Sequence, residues 1–120
     1  MLIGVPKEIK PDEYRVGLTP ESVLTLVNGG HQVMVLTNAG MGIGKSDQDY
    51  LKAGAEIVAT RDEIFERAEM VIKVKEPQLD ECALLRQGQI LFTYLHLAPD
   101  PEQTNALVNS GVSAIAYESV

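Results

Sequence analysis

Three side chains in this 120-residue chain have the chemistry to handle a small anionic substrate: Arg15, Lys75 and His96. A guanidinium binds a carboxylate through two parallel N–H bonds, and an ammonium offers a compact positive charge. An imidazole titrating near neutrality can exchange protons with a reacting group. His96 lies in Leu91-Phe92-Thr93-Tyr94-Leu95-His96-Leu97-Ala98-Pro99, an apolar and aromatic run closed by proline. A strand that ends this way delivers His96 to the edge of a sheet. Lys75 ends a second apolar run, Val71-Ile72-Lys73-Val74-Lys75-Glu76-Pro77, where period-two alternation places Lys73 and Lys75 on one face, opposite Ile72 and Val74. Lysine is seldom buried without a partner, so such a strand calls for an anion. A substrate carboxylate is one candidate. The plainer reading is that Arg15 and Lys75 are solvated or pair with Glu8, Glu13 or Glu76, in contacts worth little, and that His96 is an ordinary strand-end histidine.

The elements that must position these groups alternate. Leu2 to Val5 reads as a strand, and Arg15 lies in the long polar connection after it. Thr19-Pro20-Glu21 then gives an N-cap, a proline at the first helical position and an acid in the first turn; Val23, Leu24, Leu26 and Val27 form the apolar stripe and Gly29-Gly30 the stop. Further strands are expected at Gln32 to Leu36, Glu56 to Ala59, Met70 to Val74, Gln89 to Leu95 and Val112 to Tyr117. The helices between them start at Ser46 and Thr60, each with capping-box spacing, and at Asp80 and Asp100. This alternation predicts an α/β domain: a mainly parallel sheet with helices on both faces, three-layered, flavodoxin-like or Rossmann-like. In such sheets ligands bind beyond the carboxyl ends of the strands. Arg15, Lys75 and His96 all follow from strand ends on that edge.

Two glycine motifs compete for attention. Gly40-Met41-Gly42-Ile43-Gly44 follows a strand, but its third glycine comes one residue too early for a dinucleotide fingerprint. Ala39 to Ser46 matches the phosphate-loop pattern with alanine in place of the first glycine. It follows the second strand, its helix is short, and no later strand ends in a plain metal-binding aspartate. A turn in which Ser46 caps a helix and Lys45 is solvated is the better reading.

Composition narrows the class. Hydrophobic residues make up 45% and charged residues 22%, ordinary for a globular domain, and the length suits one domain. Ten basic against seventeen acidic residues leave a net charge of -7, which argues against nucleic acid or an acidic membrane as partner. The one cysteine, Cys82, permits no internal disulfide and reads as a packed thiol. No signal peptide or membrane-length apolar run is evident, so a cytoplasmic location is expected.

The opening Gly4-Val5-Pro6-Lys7-Glu8, with Asp12-Glu13-Tyr14-Arg15-Val16-Gly17-Leu18-Thr19-Pro20, resembles the start of the alanine dehydrogenase and proton-translocating transhydrogenase family. The likeness continues through Gly54-Ala55-Glu56-Ile57, Val74-Lys75-Glu76-Pro77 and Ala116-Tyr117-Glu118-Ser119, and covers essentially the whole chain. Within the family, Phe92-Thr93-Tyr94-Leu95-His96-Leu97-Ala98 resembles the alanine dehydrogenases; transhydrogenase subunits generally lack the histidine. Departures are small: Asp12, Gly17 and Asn28 stand where asparagine, alanine and a basic residue are usual.

The resemblance implies an NAD-dependent L-alanine dehydrogenase. Arg15 would pair with the carboxylate of pyruvate or alanine, and Lys75 would hold that carboxylate or polarise the carbonyl. His96 would act as general acid/base, and Tyr94 would line the pocket. It also implies that residues 1–120 are the N-terminal substrate domain. NAD would bind on a second, Rossmann domain not present here, followed by a return segment to the first. A homo-oligomer, commonly a hexamer, is the family's assembly. Two further readings stay open: a transhydrogenase subunit, and a non-catalytic α/β module that binds a small carboxylate or a protein partner. Saccharopine dehydrogenases are more distant relatives with similar site residues.

Overall fold

Each short apolar run pairs in parallel with a run distant in sequence, so every connection must cross back over the sheet, and the helical segments supply the crossovers. In the computed structural model, which describes residues 1–93 and 110–116 and side chains through residue 113, the strands are β1 (Leu2–Val5), β2 (Gln32–Leu36), β3 (Glu56–Val58), β4 (Met70–Ile72), β5 (Ile90–Thr93) and β6 (Ser113–Ala116). The helices described are α1 (Pro20–Asn28), α2 (Asp47–Lys52), α3 (Arg61–Arg67) and α4 (Leu79–Cys82). The six strands lie in the order β3-β2-β1-β4-β5-β6, and all neighbours are parallel. Of the two expected arrangements this is the Rossmann order, not the flavodoxin one. The winding reverses between β1 and β4. The crevice beyond their carboxyl ends is therefore the topological switch point, where a ligand is expected.

Strand alternation sorts the core into two layers. Ile3, Val5, Val33, Val35 and Ile72 face Val23 of α1 and Tyr50 of α2. Met34, Val71 and Leu91 face Ile64 and Phe65 of α3. The sheet is thus covered on both faces, as the alternation predicts. Gln89, fully buried, donates from Nε2 to the carbonyls of Phe65 (2.7 Å) and Ala68 (2.9 Å), and so satisfies the end of α3.

Three helix starts form where the sequence places them. Thr19 Oγ1 accepts from Ser22 N at 3.2 Å. Ser46 and Asp49 make a reciprocal capping box, and Thr60 Oγ1 accepts from Glu63 N at 3.3 Å. The fourth start differs. Gln78, not Asp80, is the capping position, because the Glu81 carboxylate reaches back to Gln78 N at 2.9 Å. Asp80 instead pairs with Arg61 at 2.9 Å. α4 ends at Cys82. The helix expected after Asp100 lies outside the described residues, apart from Ser110 at its end.

Candidate functional site

The site begins with a carboxylate. Beyond Val71 the β1–β4 ladder stops, and Glu8, from the connection after β1, takes its place. Glu8 Oε2 accepts from Val74 N at 3.0 Å, and Oε1 accepts from Lys75 N at 3.1 Å and from Lys73 Nζ at 3.0 Å. This explains why β4 ends at Ile72 and not, as expected, at Val74: the next amide donors turn to a side chain. The two lysines also part company. Lys73 is buried between Glu8 and Glu81, with Nζ 3.2 Å from Glu81 Oε2, and all three side chains are 1% exposed. The anion that Lys73 calls for is therefore protein. Lysine of this kind is buried only because it is paired. Burial pushes the Glu81 carboxyl above its ordinary value, and the Lys73 charge opposes that rise.

Lys75 turns the other way. With Arg15, Val16, Gly17, Thr19, Ile43 and Val74 it lines a cavity of about 670 Å³ at the switch point. Its main chain is held on both sides: the amide by Glu8, and the carbonyl by the buried Thr93, whose Oγ1 donates at 2.7 Å. Among the described residues its ammonium forms no ion pair. The three nearby acids that might serve are engaged elsewhere, Glu8 with Lys73, Glu76 with Lys10 and Glu13 with Arg15. The Lys75 charge still reaches its neighbours, lowering the carboxyl pKa of both Glu13 and Glu76.

Arg15 is braced. Its Nε and Nη2 donate to the Glu13 carboxylate at 2.9 and 2.8 Å, and its amide N donates to the same carboxylate at 2.9 Å. The hydrogen bond from Arg15 holds the Glu13 carboxyl well below its ordinary value of 4.5, at about 2. Pairing with Glu13 is thus observed, as the plainer sequence reading allowed. It leaves Nη1 and the outward edge of Nη2 for another anion, and the Arg15 side chain is 65% exposed.

The loop carrying Arg15 sits close to its neighbours because two glycines permit it. A Cβ at Gly17 would lie 2.5 Å from the carbonyl oxygen of Ile72, and one at Gly42 would lie 2.1 Å from that of Tyr14. Asp12, at the turn of this loop, has a φ of 64°, a conformation that Asp and Asn tolerate better than other non-glycine residues. The Gly40–Gly44 loop forms a short 3-10 turn. Ser46 caps α2, as the non-phosphate reading expects, and the Asp47 carboxylate accepts from Thr37 Oγ1 and Asn38 N.

Of the site residues expected from sequence, the structure brings Arg15 and Lys75 to one cavity. Tyr94 and His96 lie outside the described residues; β5, described through Thr93, runs toward them. The roles of Glu8, Thr93 and Glu13 were not foreseen as such. Cys82 is a buried thiol that donates to the carbonyl oxygen of Pro77 at 3.8 Å. Among the described residues no helix is long and apolar enough to cross a membrane, and no cluster of three or more His, Cys, Asp or Glu could hold a metal ion.

A Rossmann-ordered domain with two cationic side chains at its switch point defines an α/β protein with positive charge where such sheets bind ligands. Comparison with known proteins makes this specific: residues 4–120 match the family described as alanine dehydrogenase/PNT, N-terminal domain, and the chain belongs to that family. It is 55% identical over all 120 residues to an alanine dehydrogenase of Methanococcus maripaludis, and 54% identical to one of Bacillus subtilis. It spans 32% of the length of each. Among solved structures it is similar to an L-alanine dehydrogenase, with a TM-score of 0.94 and 55% identity over 98% of this chain and 32% of that one. A transhydrogenase from Sinorhizobium meliloti gives 0.90 at 30% identity, over 98% of this chain and 34% of that one.

Proposed function

We propose that this chain is the N-terminal substrate domain of an NAD-dependent L-alanine dehydrogenase. The parent reaction converts L-alanine, NAD⁺ and water to pyruvate, ammonium and NADH, with release of a proton. The observation that carries this reading is the Lys75 ammonium, without an ion pair among the described residues, on the same switch-point cavity as the outward guanidinium edge of Arg15. Arg15 and Lys75 bind the substrate carboxylate, and Lys75 is also placed to polarise the carbonyl. His96, beyond the end of β5, is the general acid/base, and Tyr94 lines the pocket.

NAD does not fit the switch point of this domain. The connection after β1 is a long loop rather than a tight glycine turn, since α1 begins only at Pro20. The cofactor therefore belongs to a second domain outside these residues, with a return segment after it. The share of the relatives' length that this chain spans supports that division. A homo-oligomer, a hexamer by family resemblance, and a cytoplasmic location complete the reading.

The test uses the full-length protein. L-alanine-dependent reduction of NAD⁺, and pyruvate- and ammonium-dependent oxidation of NADH, are the expected activities. Hydride exchange between two nicotinamide nucleotides without either activity would instead make it a transhydrogenase subunit.

A further inference from the structure

We propose that Glu8 is a positioning residue for Lys75: its buried carboxylate fixes the main chain from which the Lys75 side chain enters the switch-point cavity. This rests on the reading that Lys75 binds the substrate carboxylate, and extends it to a residue that does not itself line that cavity.

Unmet hydrogen bonds account for the position of Glu8. β4 pairs with β1 at Met70 and Val71 and then diverges, leaving the amides of Val74 and Lys75 without strand partners on that side. A buried amide without an acceptor is costly, so something must supply one. Glu8 supplies one oxygen to each amide, at 3.0 and 3.1 Å, and Lys73 Nζ neutralises the resulting charge from 3.0 Å. Thr93 closes the other side by donating to the Lys75 carbonyl at 2.7 Å. The Lys75 main chain is therefore bracketed between the end of β1 and the end of β5. Both attachments come from buried residues, and neither uses the ammonium.

Only a carboxylate meets these demands. Glutamine at position 8 offers one carbonyl oxygen for two amide donors, and its own NH₂ would face an amide N–H or the Lys73 ammonium. One of the two amides must then lose its acceptor and move. Because binding and reacting groups tolerate little displacement, a shift of about 1 Å in the Lys75 main chain is enough to weaken its hold on a carboxylate. Glu81 is the natural control. It contacts the same Lys73 Nζ, at 3.2 Å, but neither the Val74 nor the Lys75 amide.

The experiment compares Glu8→Gln, Glu81→Gln and Lys75→Met in the full-length protein, reading KM and kcat for pyruvate together with the melting temperature. Both glutamine variants are expected to lower the melting temperature, since both disturb the buried Lys73. Glu8→Gln is expected to raise KM for pyruvate by about tenfold or more, whereas Glu81→Gln keeps it within about twofold. If Glu8→Gln does not accumulate, Glu8→Asp, which keeps both oxygens but shortens their reach, is expected to show the same rise. Equal KM effects in the Glu8 and Glu81 variants, or none in the Glu8 variants, would overturn the positioning role while Lys75→Met still raises KM. An unchanged KM in Lys75→Met would remove the carboxylate role of Lys75, and this proposal with it.

Discussion

Replacing Lys73 by methionine tests whether the charge cluster under the switch point is as tightly coupled as its geometry implies. The substitution keeps a long, unbranched side chain in a fully buried position but removes the ammonium between Glu8 and Glu81. Breaking a buried ion pair by deleting one partner typically costs about 3–5 kcal/mol, because the surviving charge is left uncompensated. Two carboxylates survive here, and they differ. Glu8 keeps its two amide donors. Glu81 keeps Gln78 N on one oxygen but loses the cation beside the other, so the variant relieves itself by protonating Glu81. Taking up that proton at pH 7, from an unfolded-state value of 4.5, costs about 3.4 kcal/mol, and each unit of acidification returns about 1.4 kcal/mol. The sign follows from linkage. The folded variant has the raised Glu81 pKa and binds more protons than the unfolded chain, so its stability falls as pH rises above the unfolded value. Hydrogen exchange of the Val74 and Lys75 amides in the full-length protein reads this locally. Relative to the parent protein, exchange should be faster by about two orders of magnitude at pH 7 and by less than tenfold at pH 5. A ratio that stays constant between these pH values, or exchange unchanged at pH 7, would refute the coupling.

Two further outcomes follow from the same geometry. The Glu13 carboxyl should titrate at about 2 by NMR and return toward 4.5 in Arg15→Met, because the Arg15 hydrogen bond is the main cause of the depression; the stabilisation from this pair is present above pH 4.5 and is lost as pH falls toward 2. A Glu13 value unmoved by the substitution would mean that the guanidinium is not braced as described. Gly42→Ala should lower the melting temperature, at a cost of about 1–3 kcal/mol, and raise KM for pyruvate, because its Cβ would sit 2.1 Å from a backbone oxygen of the Arg15 loop. Parent-like values for both would show that the loop yields freely.

The sequence made the helix starts legible because each is local: Thr19, Ser46 and Thr60 act on amides within three residues. The two-sided sheet was legible because alternating strands and helices leave little choice of layer. Strand order was not, since both Rossmann and flavodoxin arrangements come from the same alternation. The site divides in the same way. Arg15 and Lys75 could be named from residue type, strand-end position and resemblance. Which lysine faces the cavity could not, because the simple alternation that grouped Lys73 with Lys75 assumes that the strand continues. Glu8 ends the strand at Ile72 from some 65 residues away in sequence. Long-range contacts such as this one, and the shorter but still non-local ones of Thr93 and Gln89, carry no local pattern. Glu13 was within reach of sequence reasoning as one of three possible acids, but nothing short of coordinates singled it out for Arg15.

The proposed function rests on the switch-point cations binding a substrate carboxylate. A double-mutant cycle in the full-length protein measures this most directly, with Lys75→Met as one change and pyruvate replaced by pyruvamide, its neutral amide, as the other. If Lys75 binds the carboxylate, the amide binds the parent protein at least about tenfold more weakly than pyruvate, and Lys75→Met removes most of that difference, a coupling of about 1.4 kcal/mol or more. If the preference for pyruvate over its amide is the same in the parent and in Lys75→Met, Lys75 does not recognise the carboxylate and the account of this site fails.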